Sequence, residues 1–146
     1  MADRHKLLTW SRRRTAYVLV FLVAFVMTEA GRNLYRPFVY RSGWNDLGIA
    51  DTMGNHLGAV TLVFFILAVM HATYHEGLIV VGVVAIGYIV YEFAQPLLPG
   101  STADTKDVVA SVFGGVASWW LLRWICRRAE MAADPGWCHV ARREDP

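Results

Sequence analysis

Four long stretches of the chain carry no charged residue, and they limit its possible folds more than any other feature. They cover Thr15–Thr28, Thr52–His75, Gly77–Tyr91 and Val108–Leu122. An α-helix needs about 20 mostly apolar residues to cross a bilayer. Three of the stretches are shorter than that, but flanking polar residues can extend each helix by reaching toward the interface. The sequence therefore predicts four transmembrane helices.

Strands are the alternative for such valine-rich stretches. The strands of a membrane barrel alternate polar and apolar side chains, and these stretches do not alternate. Open strands would leave backbone groups unpaired in lipid. We therefore predict an all-α fold, a transmembrane four-helix bundle with spans near residues 14–33, 55–74, 78–95 and 107–126.

The composition agrees with a membrane protein. Hydrophobic residues make up 55% of the chain and charged residues 18%, against about 25% charged in an average soluble domain. The net charge of +2 gives no indication of a nucleic-acid partner. The predicted partner is the lipid bilayer.

Arg12–Arg14 would suit the start of a secretory signal, but residues 28–32 form a poor cleavage site, which favours an uncleaved anchor.

The basic residues predict the orientation. Segments 1–14 and 123–146 hold most of the lysines and arginines, whereas Arg32, Arg36, Arg41 and Lys106 fall in the intervening loops. Positive charge is retained on the cytoplasmic side, so both termini are expected there. We thus expect a basic cytoplasmic N-terminus over 1–13, the membrane bundle over 14–126 and a loosely ordered cytoplasmic tail over 127–146.

The chain also contains an internal repeat. Asp51–Ala59 (DTMGNHLGA) and Asp107–Gly115 (DVVASVFGG) both fit D-x-x-x-[NS]-x-x-G-[AG], and each opens an even-numbered span. Ahead of them, Glu29–Arg32 and Glu92–Gln95 fit E-x-x-[RQ] and close the odd-numbered spans. The bundle is therefore predicted to be two repeated helical hairpins, about 14–74 and 78–126, related by an axis along the membrane normal.

The repeat predicts a polar pocket. Residues three or four apart share one face of a helix, and the odd spans end where the even spans begin, on the outer side. The predicted pocket residues are Glu29, Arg32, Asp51, Asn55, Glu92, Gln95, Asp107 and Ser111. Ionisable groups within spans usually mark function, although acidic residues at helix ends can also serve as caps. Small residues predict close helix packing at Gly54, Gly58, Ala110 and Gly114.

The remaining histidines, cysteines and serines give weaker evidence for a functional site. His71 and His75 are spaced to share a helix face at the inner end of the second span, but no third ligand is evident, so we predict no metal site and no cofactor. An interfacial helix turn is the favoured interpretation of these histidines. Cys126 and Cys138 are expected to be unpaired thiols. Ser111 has no histidine at its depth, so a hydrolytic triad lacks support.

The stretch Tyr91–Ser118 resembles the VanZ-like membrane proteins. Their signature is E-x-x-Q near a helix end, a short loop often carrying an arginine, and D-x-x-x-N-x-x-G opening the last span. The matching residues are Glu92, Gln95, Asp107 and Gly114, with Asp104 at an acidic position of the loop. Ser111 stands where the family usually has asparagine, and Ser101 where an arginine is usual.

The resemblance implies a location and a role. The family belongs to the bacterial cell envelope, and its named member is associated with resistance to the glycopeptide teicoplanin. We therefore expect a protein of the inner membrane whose outward polar pocket recognises an envelope lipid, a peptidoglycan-related head group or a partner, with a homo-oligomer left open. The alternatives are a membrane enzyme that acts on a lipid-linked phosphate with paired carboxylates, and a small transporter or helper subunit. Nothing supplies a clear nucleophile, which favours a non-catalytic protein.

Overall fold

The structure, a computed structural model, describes residues 2–70, 72–97 and 105–131, with side chains described within 12–70, 72–97 and 105–129. The predicted loosely ordered tail lies outside this part of the chain from residue 132 onward. The described elements are α1 (Ala2–Ala30), a π-helical turn (Gly31–Tyr35), α2 (Arg36–Ser42), α3 (Ile49–Met70), α4 (Tyr74–Ala94), a 3-10 turn (Gln95–Leu97) and α5 (Thr105–Met131).

Four of the helical segments are long and apolar enough to cross a membrane. They are Arg12–Ser42, Ile49–Met70, Tyr74–Leu97 and Thr105–Ala129. Large apolar side chains are exposed on their outer faces, and Val83 and Ile86 each expose more than half of their surface. Such faces suit lipid rather than water. The described residues confirm the prediction of an all-α, four-helix transmembrane bundle, and the chain is a multi-pass membrane protein.

Helices α3 and α5 form the centre of the bundle. They pack along each other, α1 packs on α3, and α4 packs on α5 and more lightly on α3. The most deeply buried apolar side chains include Tyr17, Phe64, Leu67 and Leu122. Two hairpins related by a two-fold axis would make this pattern of contacts, although the repeat itself stays a prediction.

The first helix runs further than the sequence predicts. It does not end near residue 33 but continues through the π-helical turn and α2 to Ser42. In that turn the backbone N–H of Arg36 donates to the carbonyl of Gly31. Pro37 has no backbone N–H to donate, and it directly follows the π-helical turn, where the backbone departs from regular α-helical hydrogen bonding. The helix ends at Gly43, whose φ of 65° is in the left-handed region.

The start of α3 also differs from the prediction. The helix begins at Ile49 instead of near 55, and Asp46 caps it by accepting hydrogen bonds from the backbone N–H groups of Gly48 and Ala50. Desolvation raises the pKa of Asp46, but these N–H groups and the Tyr35 hydroxyl outweigh it and hold the pKa below its ordinary value. Asp51, the acidic residue of the repeat motif, therefore lies in the first turn rather than at the cap.

The turn between α3 and α4 falls within the sequence motif that contains the two histidines. α3 ends at Met70, and Thr73 begins α4 with a capping box in which Glu76 bonds back to its backbone N–H. His75 thus belongs to the first turn of α4, and His71 lies outside the described residues. His75 is therefore on α4, which the capping box begins, and not on the second span.

The small residues of the repeat differ in their surroundings. A Cβ built on Gly114 would lie 2.6 Å from the carbonyl oxygen of His56, so α5 and α3 touch through their backbones there. A Cβ on Gly58 would lie 3.0 Å from the Tyr88 hydroxyl, and Ala110 is buried. A Cβ on Gly54 would meet nothing within 4 Å. Gly54 is therefore not at a helix contact, because it lies on the exposed side of α3.

We predict opposite effects of alanine at Gly114 and Gly54. G114A should lower the free energy of unfolding by about 1–3 kcal/mol, because the added methyl group overpacks the contact between α3 and α5. G54A should change it by less than about 1 kcal/mol, toward greater stability, because alanine favours the helix. Both predictions can be checked by unfolding the two purified variants in detergent and monitoring helix content by circular dichroism. Equal stability of the two variants would contradict the backbone contact at Gly114.

Candidate functional site

The candidate site centres on Glu92 in the last turn of α4. Its side chain has 0% of its surface exposed, although it carries an ionisable group inside a membrane-spanning segment. On α4, Glu92 faces the interior of the bundle, whereas its neighbours Tyr91 and Phe93 face outward. A buried polar group needs hydrogen-bond partners, so the partners of Glu92 define the site.

Two amide side chains bind the carboxylate of Glu92. Asn55 donates from Nδ2 to Oε1 at 3.0 Å, and Gln95 donates from Nε2 to Oε2 at 2.5 Å. Asn55 comes from the second turn of α3, and Gln95 follows Glu92 by three positions at the start of the 3-10 turn. We call Asn55, Glu92 and Gln95 the Glu92 cluster. It joins the predicted second hairpin to the first through side-chain hydrogen bonds.

Asp107 and Ser111 come from the start of α5, and one hydrogen bond joins them. Ser111 is fully buried, and its hydroxyl donates to the backbone carbonyl of Asp107 at 2.8 Å. Asp107 itself is half-buried in the first turn. The equivalent position of the first motif holds Asn55, which reaches across to α4. A serine side chain is shorter than an asparagine side chain, and here it bonds back to its own helix.

The acidic residues of the first hairpin have partners at the surface. Glu29 accepts a hydrogen bond from Asn33 at 2.9 Å, and Arg32 is exposed. Asp51 forms an ion pair with Arg36 at 3.1 Å and accepts a hydrogen bond from the Tyr40 hydroxyl. The Asp51 and Arg36 side chains are each about half exposed, so this ion pair contributes little to stability.

The described side-chain hydrogen bonds connect three of the eight predicted pocket residues to one another. The structure joins Asn55, Glu92 and Gln95 and leaves Glu29 and Asp51 with partners of their own. The expectation of a pocket open to the outside fails at Glu92, which has no exposed surface. The physical reason lies in α1, which continues past Glu29 as a helix. The Asp51 partners Arg36 and Tyr40 are consequently supplied by α2, and sequence reasoning assigned neither to the site.

Two grooves open at the end of the bundle where α3 and α5 begin. One, of about 710 Å³, lies between the first halves of α3 and α5, and we call it the α3–α5 groove. The other, of about 560 Å³, lies beside the π-helical turn, and Met53 lines both. None of the eight predicted pocket residues lines either groove. Within the described part of the chain, no group of three His, Cys, Asp or Glu side chains could hold a metal ion.

Comparison with known proteins gives no match to a family model, a curated protein or a solved structure.

Replacing Glu92 with alanine should destabilise the protein far more than replacing Glu29, its counterpart in the repeat. E92A leaves the amides of Asn55 and Gln95 without their acceptor, which should lower the free energy of unfolding by about 1–3 kcal/mol. E29A removes a carboxylate at the surface and should cost less than about 0.5 kcal/mol. Thermal melting of the purified variants in detergent measures the difference. Equal melting temperatures would show that the Glu92 cluster does not hold α3 and α4 together.

Proposed function

We propose that the chain is a VanZ-like integral membrane protein of the bacterial cell envelope that recognises a polar head group at the outer ends of its helices. The observation that carries the proposal is the Glu92 cluster, a fully buried carboxylate bound by amides from two helices. Burying an ionisable group within a span costs several kcal/mol unless it is well bound, so such groups usually serve a function. The cluster also lies on residues that carry the resemblance, Glu92 and Gln95.

The geometry suggests how the cluster would bind a ligand. Asn55 and Gln95 are partly exposed, whereas Glu92 is closed off behind them. Displacing either amide would give a donor or cationic group access to one oxygen of Glu92. The 3-10 turn that follows α4 contains Pro96, which cannot donate a backbone hydrogen bond. We propose that this end of α4 moves to admit the ligand.

Recognition is favoured over catalysis by the partners of the other carboxylates. An enzyme that used paired carboxylates would need them to converge on one substrate. Glu29 and Asp51 instead bind Asn33 and Arg36 at the surface. For Glu29 and Asp51, the arrangement therefore supports recognition by Glu92 better than a catalytic pair with it.

The proposed orientation places both termini in the cytoplasm of a bacterial inner membrane. Single cysteines at the exposed positions 41 and 127 test it, in a chain whose native cysteines are replaced by alanine. A membrane-impermeant maleimide should label R41C in cells whose inner membrane is intact. It should label R127C only after that membrane is permeabilised. The reverse pattern would contradict the orientation.

Resistance to teicoplanin tests the proposed role. Expression of the chain in a susceptible bacterium should raise the minimum inhibitory concentration of teicoplanin. E92Q should abolish the increase, because the amide removes the negative charge while it keeps a similar volume. E29Q, the matched control in the first hairpin, should keep the increase. Immunoblots of membrane fractions establish equal insertion of the variants. Full protection by an inserted E92Q protein, or no protection by the unmodified chain, would refute the proposal.

A further inference from the structure

The α3–α5 groove combines an apolar floor with a polar mouth. Its floor is formed by Met53 and Leu57 of α3 and by Val109, Ala110 and Phe113 of α5. Its mouth lies where the two helices begin, beside Thr105 and Lys106. At about 1.5 Å per residue, the groove follows α5 from Thr105 to Phe113 for about 12 Å. That length covers most of one leaflet, whose hydrocarbon is about 15 Å deep.

The ammonium group of Lys106 stands at this mouth. A Cβ built on Gly48, in the turn that leads into α3, would lie 3.3 Å from Lys106 Nζ. The Lys106 side chain thus reaches from α5 toward the start of α3. Gly48 has a φ of 87°, so glycine is favoured there on conformational grounds as well. The same end of α5 carries the positive end of the helix dipole, which favours a nearby anion.

Several polar groups lie around the mouth. Asp46, two residues before Gly48, already accepts hydrogen bonds from the backbone N–H groups of Gly48 and Ala50. Its negative charge is therefore directed at the start of α3. Thr52 adds a polar group to the lining near this end, whereas His56, whose carbonyl lies against Gly114, lines the groove at its far end. A phosphate held by Lys106 would be placed at the depth where lipid head groups lie, with its acyl chain along the apolar floor.

We infer that the α3–α5 groove is a binding site for an anionic phospholipid, with the phosphate at Lys106 and one acyl chain between α3 and α5. The inference depends on the membrane placement of the four helices. It does not depend on the proposed role of the Glu92 cluster, because no member of that cluster lines the groove. A lysine near the membrane surface contributes about 1 kcal/mol to the binding of an anionic lipid, which corresponds to about a fivefold preference.

Native mass spectrometry of the full chain measures this preference directly. The protein is purified in detergent and titrated with phosphatidylglycerol or phosphatidylcholine of identical chains. The unmodified chain should bind phosphatidylglycerol about fivefold more tightly. K106Q should abolish that preference. R41Q removes one exposed positive charge outside the groove and should retain it. Equal binding of the two lipids by the unmodified chain, or the same loss of preference in both variants, would overturn the inference.

A second pair of variants tests the acyl-chain part of the site. Val109 lines the groove and Val116 does not, and both are about half exposed on α5. V109W should fill the groove and weaken the tightest binding of both lipids, whereas V116W should leave it unchanged. Equal binding by V109W and V116W would rule out a chain in the groove. E92Q should bind phosphatidylglycerol as the unmodified chain does, so failure of the Glu92 proposal would be seen separately.

Discussion

The backbone contact between α3 and α5 at Gly114 is the constraint on which the rest of the bundle depends. No side chain separates the helices there, and a single methyl group would meet the carbonyl of His56. The two helices are held together at this point, and the α3–α5 groove lies between it and the start of the two helices. Helices α1 and α4 then pack on opposite members of the pair. Without a driving force from water, close contacts of this kind hold membrane helices together.

Much of the fold could be predicted from the sequence, because the bilayer leaves few alternatives for long uncharged stretches. All four membrane-spanning helices were expected, and the structure has them. Their ends were harder to predict. The first span was expected to end near residue 33, yet the π-helical turn after Ala30 carries the helix on past Pro37 to Ser42. The cap of α3 was also missed, since Asp46 precedes the motif that drew attention to Asp51.

The candidate site could be predicted only in part. The spacing of Glu92 and Gln95 correctly indicates a shared face, and the structure adds Asn55 from α3. Glu29, the residue of the first hairpin that matches Glu92, behaves differently although the residue type is the same. Glu29 lies where α1 continues outward, so its carboxylate meets Asn33 at the surface. A sequence repeat gives residue types and spacing, but the environment of each copy depends on packing that the motif does not contain.

The π-helical turn sets the direction in which α2 presents its side chains. The hydrogen bond from the Arg36 N–H to the Gly31 carbonyl spans one residue more than a regular α-helical bond, so the turn holds one additional residue. Each residue of a regular helix turns the chain by about 100°. A first helix without that insertion would carry Arg36 and Tyr40 around its axis and away from Asp51. The π-helical turn thus rotates α2 about the helix axis. The rotation places Arg36 and Tyr40 beside Asp51 at the beginning of α3.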